Sequence, residues 1–294
     1  MGRPHIEFIQ AQTLAWRPSP WPGHYAEAEV KVLSRDEDTG ATSNLIRYPP
    51  GWSRTEPEYL AADEELYVLS GALTINGVAY GEACYAHLPA GFARASALAS
   101  GGAVVLTYLS GVPESATGAP PPGLYKEARL VTRIEVPRMN DLGTADFARL
   151  GSSEFDPTGL GARILREDPE TGEVTWIMGC DDGGWTEKTE DGGSSMERHP
   201  VVEEIFVVAG AMTGNVGTLY PGAYFWRPPD IWHGPYGVRG GGFIHLNRCH
   251  GGPFGTDFKA EPVAVDFDTP YRPVLPPDLA ALAGSETRAF ETNY

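Results

Sequence analysis

The feature that most narrows the possible folds is an internal repeat. The segment Glu64–Asn76 (EELYVLSGALTIN) aligns with Glu203–Asn215 (EEIFVVAGAMTGN), and nearly every pair is identical or alike in size and polarity. The offset is 139 residues (203 − 64). Upstream, Val32–Gly40 aligns with Ile164–Gly172 at an offset of 132 (164 − 32). The second copy therefore carries seven extra residues (139 − 132) between Gly183 and Glu197, in the polar stretch Lys188 to Ser195. That stretch reads as a longer loop over one mouth of the second copy. A repeated unit of about 80 residues is too long for a solenoid turn and reads as a duplicated domain.

Each copy has the pattern of short strands. Leu66–Leu69 and Ile205–Val208 are β-rich apolar runs that stop at Gly71 and Gly210. Ala103–Tyr108 and Phe243–Leu246 are further runs entered from glycine clusters, and Thr39-Gly40, Thr171-Gly172 and Asn76-Gly77 read as hairpin turns. The 36 glycines and 26 prolines in 294 residues suit many turns and few long helices. The expectation is an all-β barrel or jelly roll in each copy. Boundaries are placed at 1–112 for the first domain, 113–159 for a linker containing Pro113, Pro120, Pro121 and Pro122, and 160–262 for the second domain. A Pro-rich tail, 263–294, contains a short helix predicted at Pro277 to Ala283.

The formal net charge of −17 repels phosphate backbones and anionic lipid, so the expected partner is a small molecule, with no nucleic acid and no membrane. Cys84, Cys180 and Cys249 are scattered, odd in number and in no CxxC pair, which fits a reducing compartment. Without a secretory pattern or an apolar run of ~18 residues, the protein is expected in the cytoplasm, as a monomer or homo-oligomer.

The chemistry is concentrated in the second copy: Glu197-x-His199-x-x-x-Glu203, then Gly210, Gly222, Pro228 and His233. Residues two apart on a strand share a face, so Glu197 and His199 point the same way, and Glu203 can join them after a short turn. Two imidazoles with one or two carboxylates inside a barrel suit one divalent ion, with iron first and manganese, zinc or nickel as alternatives. This layout resembles the two motifs of the cupin superfamily. The first is His-x-His followed by a glutamate and then a glycine; the second is a glycine, a proline and a histidine. The resemblance spans both copies and implies a bicupin, two tandem double-stranded β-helix barrels in one chain. It also implies that His199, Glu203 and His233 are metal ligands. The first histidine of His-x-His is replaced by Glu197. The site then has either two histidines and two carboxylates, or a His-His-Glu triad with Glu197 beside it as a base.

Subtracting 139 tests the first copy. Glu197 and Glu203 fall on Glu58 and Glu64, but His199 falls on Leu60 and His233 on Arg94. Arg94 puts a cation where the metal would sit, so the first copy is expected to hold no metal, with Arg94 paired to Glu58 or Glu64. His5, His24 and His87 have no partner pattern. Tyr224 and Trp226 alternate after Gly222 and are assigned to the substrate pocket with Asn247, which alternates with His245 on a late strand. Glu197 and His245 are the candidates for proton transfer, and Glu187 is a further candidate ligand contact.

Three functions are compatible with these residues. The first is a metal-dependent enzyme acting on a small oxygenated organic molecule, with an iron-dependent dioxygenase as the leading form. The second is a non-redox metalloenzyme, an isomerase, lyase or hydrolase. The third is a small-molecule-binding or sensory protein without catalysis.

Overall fold

The computed structural model describes residues 2–136, 142–143, 145–150, 160–180, 194–238, 241–285 and 294. Glu187 and positions 188–193 of the extra loop lie outside the described residues. The principal strands in chain order are β1 (Ile6–Gln10), β2 (Glu29–Arg35), β3 (Thr42–Tyr48), β4 (Glu64–Gly71), β5 (Cys84–Leu88), β6 (Ala103–Leu109) and β7 (Val131–Glu135). They continue as β8 (Leu160–Glu167), β9 (Val174–Cys180), β10 (Ser194–Arg198), β11 (Val202–Gly210), β12 (Ala223–Arg227), β13 (Phe243–His250) and β14 (Asp257–Val263). Among the described residues, no helix is long and apolar enough to cross a membrane.

The chain divides into two units, 1–3 with 14–136 and 4–13 with 137–294. In the first, the main antiparallel sheet has the order β7-β5-β4-β6-β3-β2, with Arg17–Pro18 on the outer edge. In the second, the order is β1-β12-β11-β13-β9-β8. The two orders match strand for strand under the repeat. The first core combines main-sheet residues such as Ile46, Leu66, Val68 and Val105 with Trp52, Leu73, Ile75 and Ala97 of a second, four-stranded sheet. The second core gathers Ile205, Val207, Phe225 and Phe243 with Met212 and Leu219 in the same way. Each unit is thus a cupin-type jelly roll closed over one apolar interior.

The turn chemistry repeats as well. Asp36 Oδ1 accepts from the backbone N–H groups of Asp38 and Thr39 at 2.9 and 3.2 Å, and Asp168 Oδ1 accepts from Glu170 and Thr171 at the same two distances. Gly40 and Gly172 then close the turns with positive φ, +73° and +72°. An aspartate that caps its own turn and a glycine free to enter the left-handed region explain why these hairpins survived duplication.

The domain limits differ from those expected. The segment after residue 112 does not run free: Ser115–Ala116 pairs with Tyr59–Leu60, and β7 adds to the first sheet beside β5. Conversely, β1 leads the first copy in sequence but pairs with β12 of the second unit. β7 and β1 stand in the same place of their respective sheets. The leading strand of each copy therefore completes the sheet of the other. In the tail, Pro277–Gly284 forms a 3₁₀ helix.

Gly210 ends β11 at φ +68°, and a Cβ there would stand 2.1 Å from the Gly242 carbonyl oxygen. Gly210→Ala is expected to cost about 2 kcal/mol or more, from left-handed strain plus a backbone clash. Gly81, with nothing within 4 Å of a built Cβ, serves as control. Gly81→Ala should stay within about 0.5 kcal/mol of wild type in urea unfolding.

Candidate metal centre

Strand parity builds the site. On β11, Glu203 and Ile205 face inward, opposite Arg227 and Phe225 of β12 and Cys249 and Asn247 of β13. Asn247 and His245 lie opposite Trp176 and Met178 of β9. One face of the sheet therefore presents Glu203, Ile205, Phe225, His245, Asn247, Trp176 and Met178 to a single cavity. Phe147, Leu150, Leu160, Met212, Tyr236, Phe243, Phe254, Thr256 and Phe258 complete much of its wall, and Glu197 and His199 reach it from β10 and the turn after it.

His233 is fixed against β10 by a two-way backbone bridge. The Glu197 N–H donates to the His233 carbonyl at 3.0 Å, and the His233 N–H donates back at 2.9 Å. Both imidazoles are held by their Nδ1 atoms. His199 Nδ1 lies 2.9 Å from the Gly255 carbonyl oxygen and His233 Nδ1 lies 2.9 Å from that of Ile231. A carbonyl only accepts, so Nδ1 carries the proton and Nε2 keeps a bare lone pair. Both Nε2 atoms are buried and lack a hydrogen-bond partner. His233 Nε2 is 3.5 Å from Glu197 Oε1, and ligand atoms of Glu197, His199 and His233 all lie within 4.8 Å of one another. Two ligand atoms each about 2.1 Å from a shared ion are at most ~4.2 Å apart, so small side-chain rotations would close the trio on a metal. Two orphaned imidazole lone pairs beside a carboxylate, with backbone carbonyls orienting the far ring nitrogens, fit a divalent ion. Burial opposes ionisation of Glu197, but the His233 imidazole beside it and the Arg227 guanidinium nearby hold its carboxyl down to about 2.

Glu203 stands beside the trio but outside it. Its Oε1 is 3.5 Å from His199 Nε2, and its Oε2 is 3.5 Å from His233 Nε2 and accepts from Arg227 Nη1. Arg227, 1% exposed, also donates through Nε and Nη2 to both oxygens of Glu7 on β1, and through Nη2 to the Tyr236 hydroxyl at 2.8 Å. The expected ligand Glu203 is thus committed to a guanidinium through one oxygen. Burial, reinforced by the carboxylates of Glu7, Glu203 and Glu197, pushes the Tyr236 hydroxyl well above its ordinary value despite Arg227, so it remains a donor.

His245 is buried, with Nδ1 3.0 Å from Asn247 Oδ1, while Asn247 Nδ2 donates to the His245 carbonyl. That second bond fixes the amide orientation and leaves His245 Nε2 as an unpartnered acceptor in the cavity wall. Burial lowers the His245 imidazole to about 4, so it is neutral near pH 7.

Two assignments are corrected. Tyr224 and Trp226 lie on the opposite face of β12. The Tyr224 hydroxyl donates to Glu204 Oε1 at 2.7 Å, and the Trp226 ring packs 4.9 Å from His250. Alternation was read correctly but assigned to the wrong parity; the aromatic of β12 that reaches the cavity is Phe225. Arg227, Glu7 and Tyr236 had not been singled out.

In the first unit the same backbone bridge joins Glu58 to Arg94, at 2.9 and 2.8 Å. Arg94 Nη1 donates to Glu64 at 2.7 Å, so its side-chain ion pair is with Glu64. His24, earlier without a partner, accompanies them: its Nδ1 is 2.8 Å from Glu58 and its Nε2 is 3.3 Å from Arg94. A guanidinium occupies the place of the second imidazole.

The sequence matches, over residues 7–249, the profile of DUF4437, a domain of unknown function. The chain belongs to the DUF4437 family. Solved structures with this fold include a candidate dioxygenase from Nostoc punctiforme PCC 73102, at 18% identity and TM-score 0.66, covering 84% of this chain and 87% of that one. A salicylate 1,2-dioxygenase from Pseudaminobacter salicylatoxidans matches at 13% identity and TM-score 0.56, covering 83% and 84%. Protein Ylba from E. coli matches at 13% and 0.52, covering 83% and 90%. No curated protein matches the sequence. This DUF4437 protein has the fold of a bicupin, two jelly-roll barrels in one chain, and solved structures that share the fold include dioxygenases.

Removing Arg227 leaves Glu203 without its cation and Glu7 with only His5 beside it, so Arg227→Leu should destabilise the second unit by about 3–5 kcal/mol. Urea unfolding reads this, and Arg227→Lys should recover only part, because an ammonium cannot span both carboxylates bidentately. His245 gives a pH test. Its folded value lies below the ~6.5 of an unfolded histidine, so between pH ~6.5 and ~4 the unfolded chain takes the proton first and stability falls as pH is lowered. From pH 7 to 4.5, wild type should lose about 2–3 kcal/mol more than His245→Gln. Parallel losses in the two proteins would contradict a buried neutral imidazole.

Proposed function

We propose that this chain is a metal-dependent oxygenase of small organic molecules, with Glu197, His199 and His233 as the ligands of one iron ion in the second barrel. The observation that carries the reading is the pair of buried, unpartnered Nε2 atoms set beside the Glu197 carboxylate. Two histidines and one carboxylate with open positions are the ligand pattern of non-haem iron oxygenases. The bound ion would supply Lewis acidity and a binding place for dioxygen.

The protein's own residues have distinct parts in this proposal. Gly255 and Ile231 carbonyls hold the imidazole rings. Arg227 restrains Glu203 from joining the ligand set through its Oε2, leaving a carboxylate close by that can take a proton. His245 accepts a proton or hydrogen bond at Nε2, and Tyr236 donates one from its hydroxyl. The aromatic wall keeps bulk water from the reacting groups, which strengthens each of these interactions.

The experiment is anaerobic Fe(II) titration of metal-free protein, followed by oxygen uptake with a panel of phenols and enolisable ketones. One iron per chain is expected, with binding weakened more than 100-fold in His199→Ala and His233→Ala, both retaining the wild-type circular dichroism spectrum. Full iron binding in either variant would overturn the ligand set. Iron binding without oxygen uptake on any of the panel would point instead to proton-transfer chemistry by His245 or Glu203.

A further inference from the structure

We infer that the substrate of this cavity is an uncharged aromatic molecule bearing a hydroxyl or enol O–H, and not a carboxylate. The inference rests on the site proposed above and specifies what that site accepts. Among the described residues, the only charged side chains in the cavity wall are the carboxylates of Glu197 and Glu203; no lysine or arginine lines it.

The nearest buried cation is already engaged. Every nitrogen of the Arg227 guanidinium donates to Glu7, Glu203 or Tyr236, and the side chain is not part of the wall. Arg227 is a single cation set against the three carboxylates of Glu7, Glu203 and Glu197. An anionic substrate entering this desolvated space would meet no uncompensated positive charge.

The rest of the wall favours a flat apolar body. Trp176, Phe225, Phe243, Phe254 and Phe258 supply aromatic faces and edges, which pack well against another ring. The unpartnered acceptor, His245 Nε2, needs a donor from the ligand. Its own Nδ1 proton is held by Asn247 Oδ1, so the atom that answers Nε2 must carry an O–H or N–H. A carboxylate has neither near neutral pH, whereas a phenol or enol does.

The test is a matched pair of probes, 4-hydroxyacetophenone and 4-hydroxybenzoate, which share the ring and the phenol and differ in an acetyl group against a carboxylate. Dissociation constants are measured by calorimetry on the full chain, metal-free and loaded with Zn(II), so that no turnover intervenes. The ketone should bind at least tenfold more tightly in both forms, and His245→Phe should weaken the ketone at least fivefold. Equal or tighter binding of the benzoate, or saturation by neither probe, would overturn the assignment. If zinc and iron fail to bind at all, the oxygenase reading falls, while the preference in metal-free protein still decides this one.

Discussion

A guanidinium taken out of water must be answered on every side, and Arg227 is answered by three elements at once. Glu203 belongs to the strand that leads into the core, Glu7 to a strand near the other end of the sequence, and Tyr236 to the loop that follows His233. None of these contacts would be worth much alone, because each buried charge costs several kcal/mol to desolvate. Together they fix which way Glu203 points and commit one of its oxygens to the guanidinium. The first copy has Leu88 at the place of Arg227 and a guanidinium in the ligand position instead. The two barrels have solved the same electrostatic problem at different positions, and only one solution leaves imidazole lone pairs free.

The fold was legible because duplication gave two readings of one pattern. The glycines ending β4 and β11 and the aspartate-capped hairpins sit where backbone geometry leaves little choice, so they recur at fixed offsets. The cluster of Glu197, His199 and His233 has a similar origin in a strand, a turn and a returning loop, although the cupin resemblance implies His199, Glu203 and His233 as the ligands and leaves Glu197 either with them or beside them as a base. The division of the chain was less legible. Nothing in the composition of Ile6–Gln10 or Val131–Glu135 says which sheet each will join, because pairing between strands is a choice made by the whole fold.

The misplacement of Tyr224 and Trp226 has a plain cause. Alternation fixes which residues share a face, but not which face is inside when both are apolar and buried. Arg227 was the missing signal: a charge in the run Ala-Tyr-Phe-Trp-Arg must find its partner, and it shares parity with Phe225. Glu7, in a strand whose residues are all buried, carried the complementary message. His24 was unreadable for another reason, as it lies in a short 3₁₀ turn far in sequence from the carboxylate that holds it.

The exchange of leading strands also sets an order of events during synthesis. The first unit has its whole complement of strands once residue 136 is made, so it can close while the rest is still being translated. The strand at 6–10 must wait for its partner at 223–227. At ribosomal speeds of about 5–20 residues per second, that interval is roughly 10–40 seconds. For that time the buried strand bearing Glu7 lacks its partner, and only over the last 91 residues of it (227 − 136) can the first unit already be closed. The half of the molecule proposed to do chemistry therefore cannot be finished without a strand made long before the rest of it.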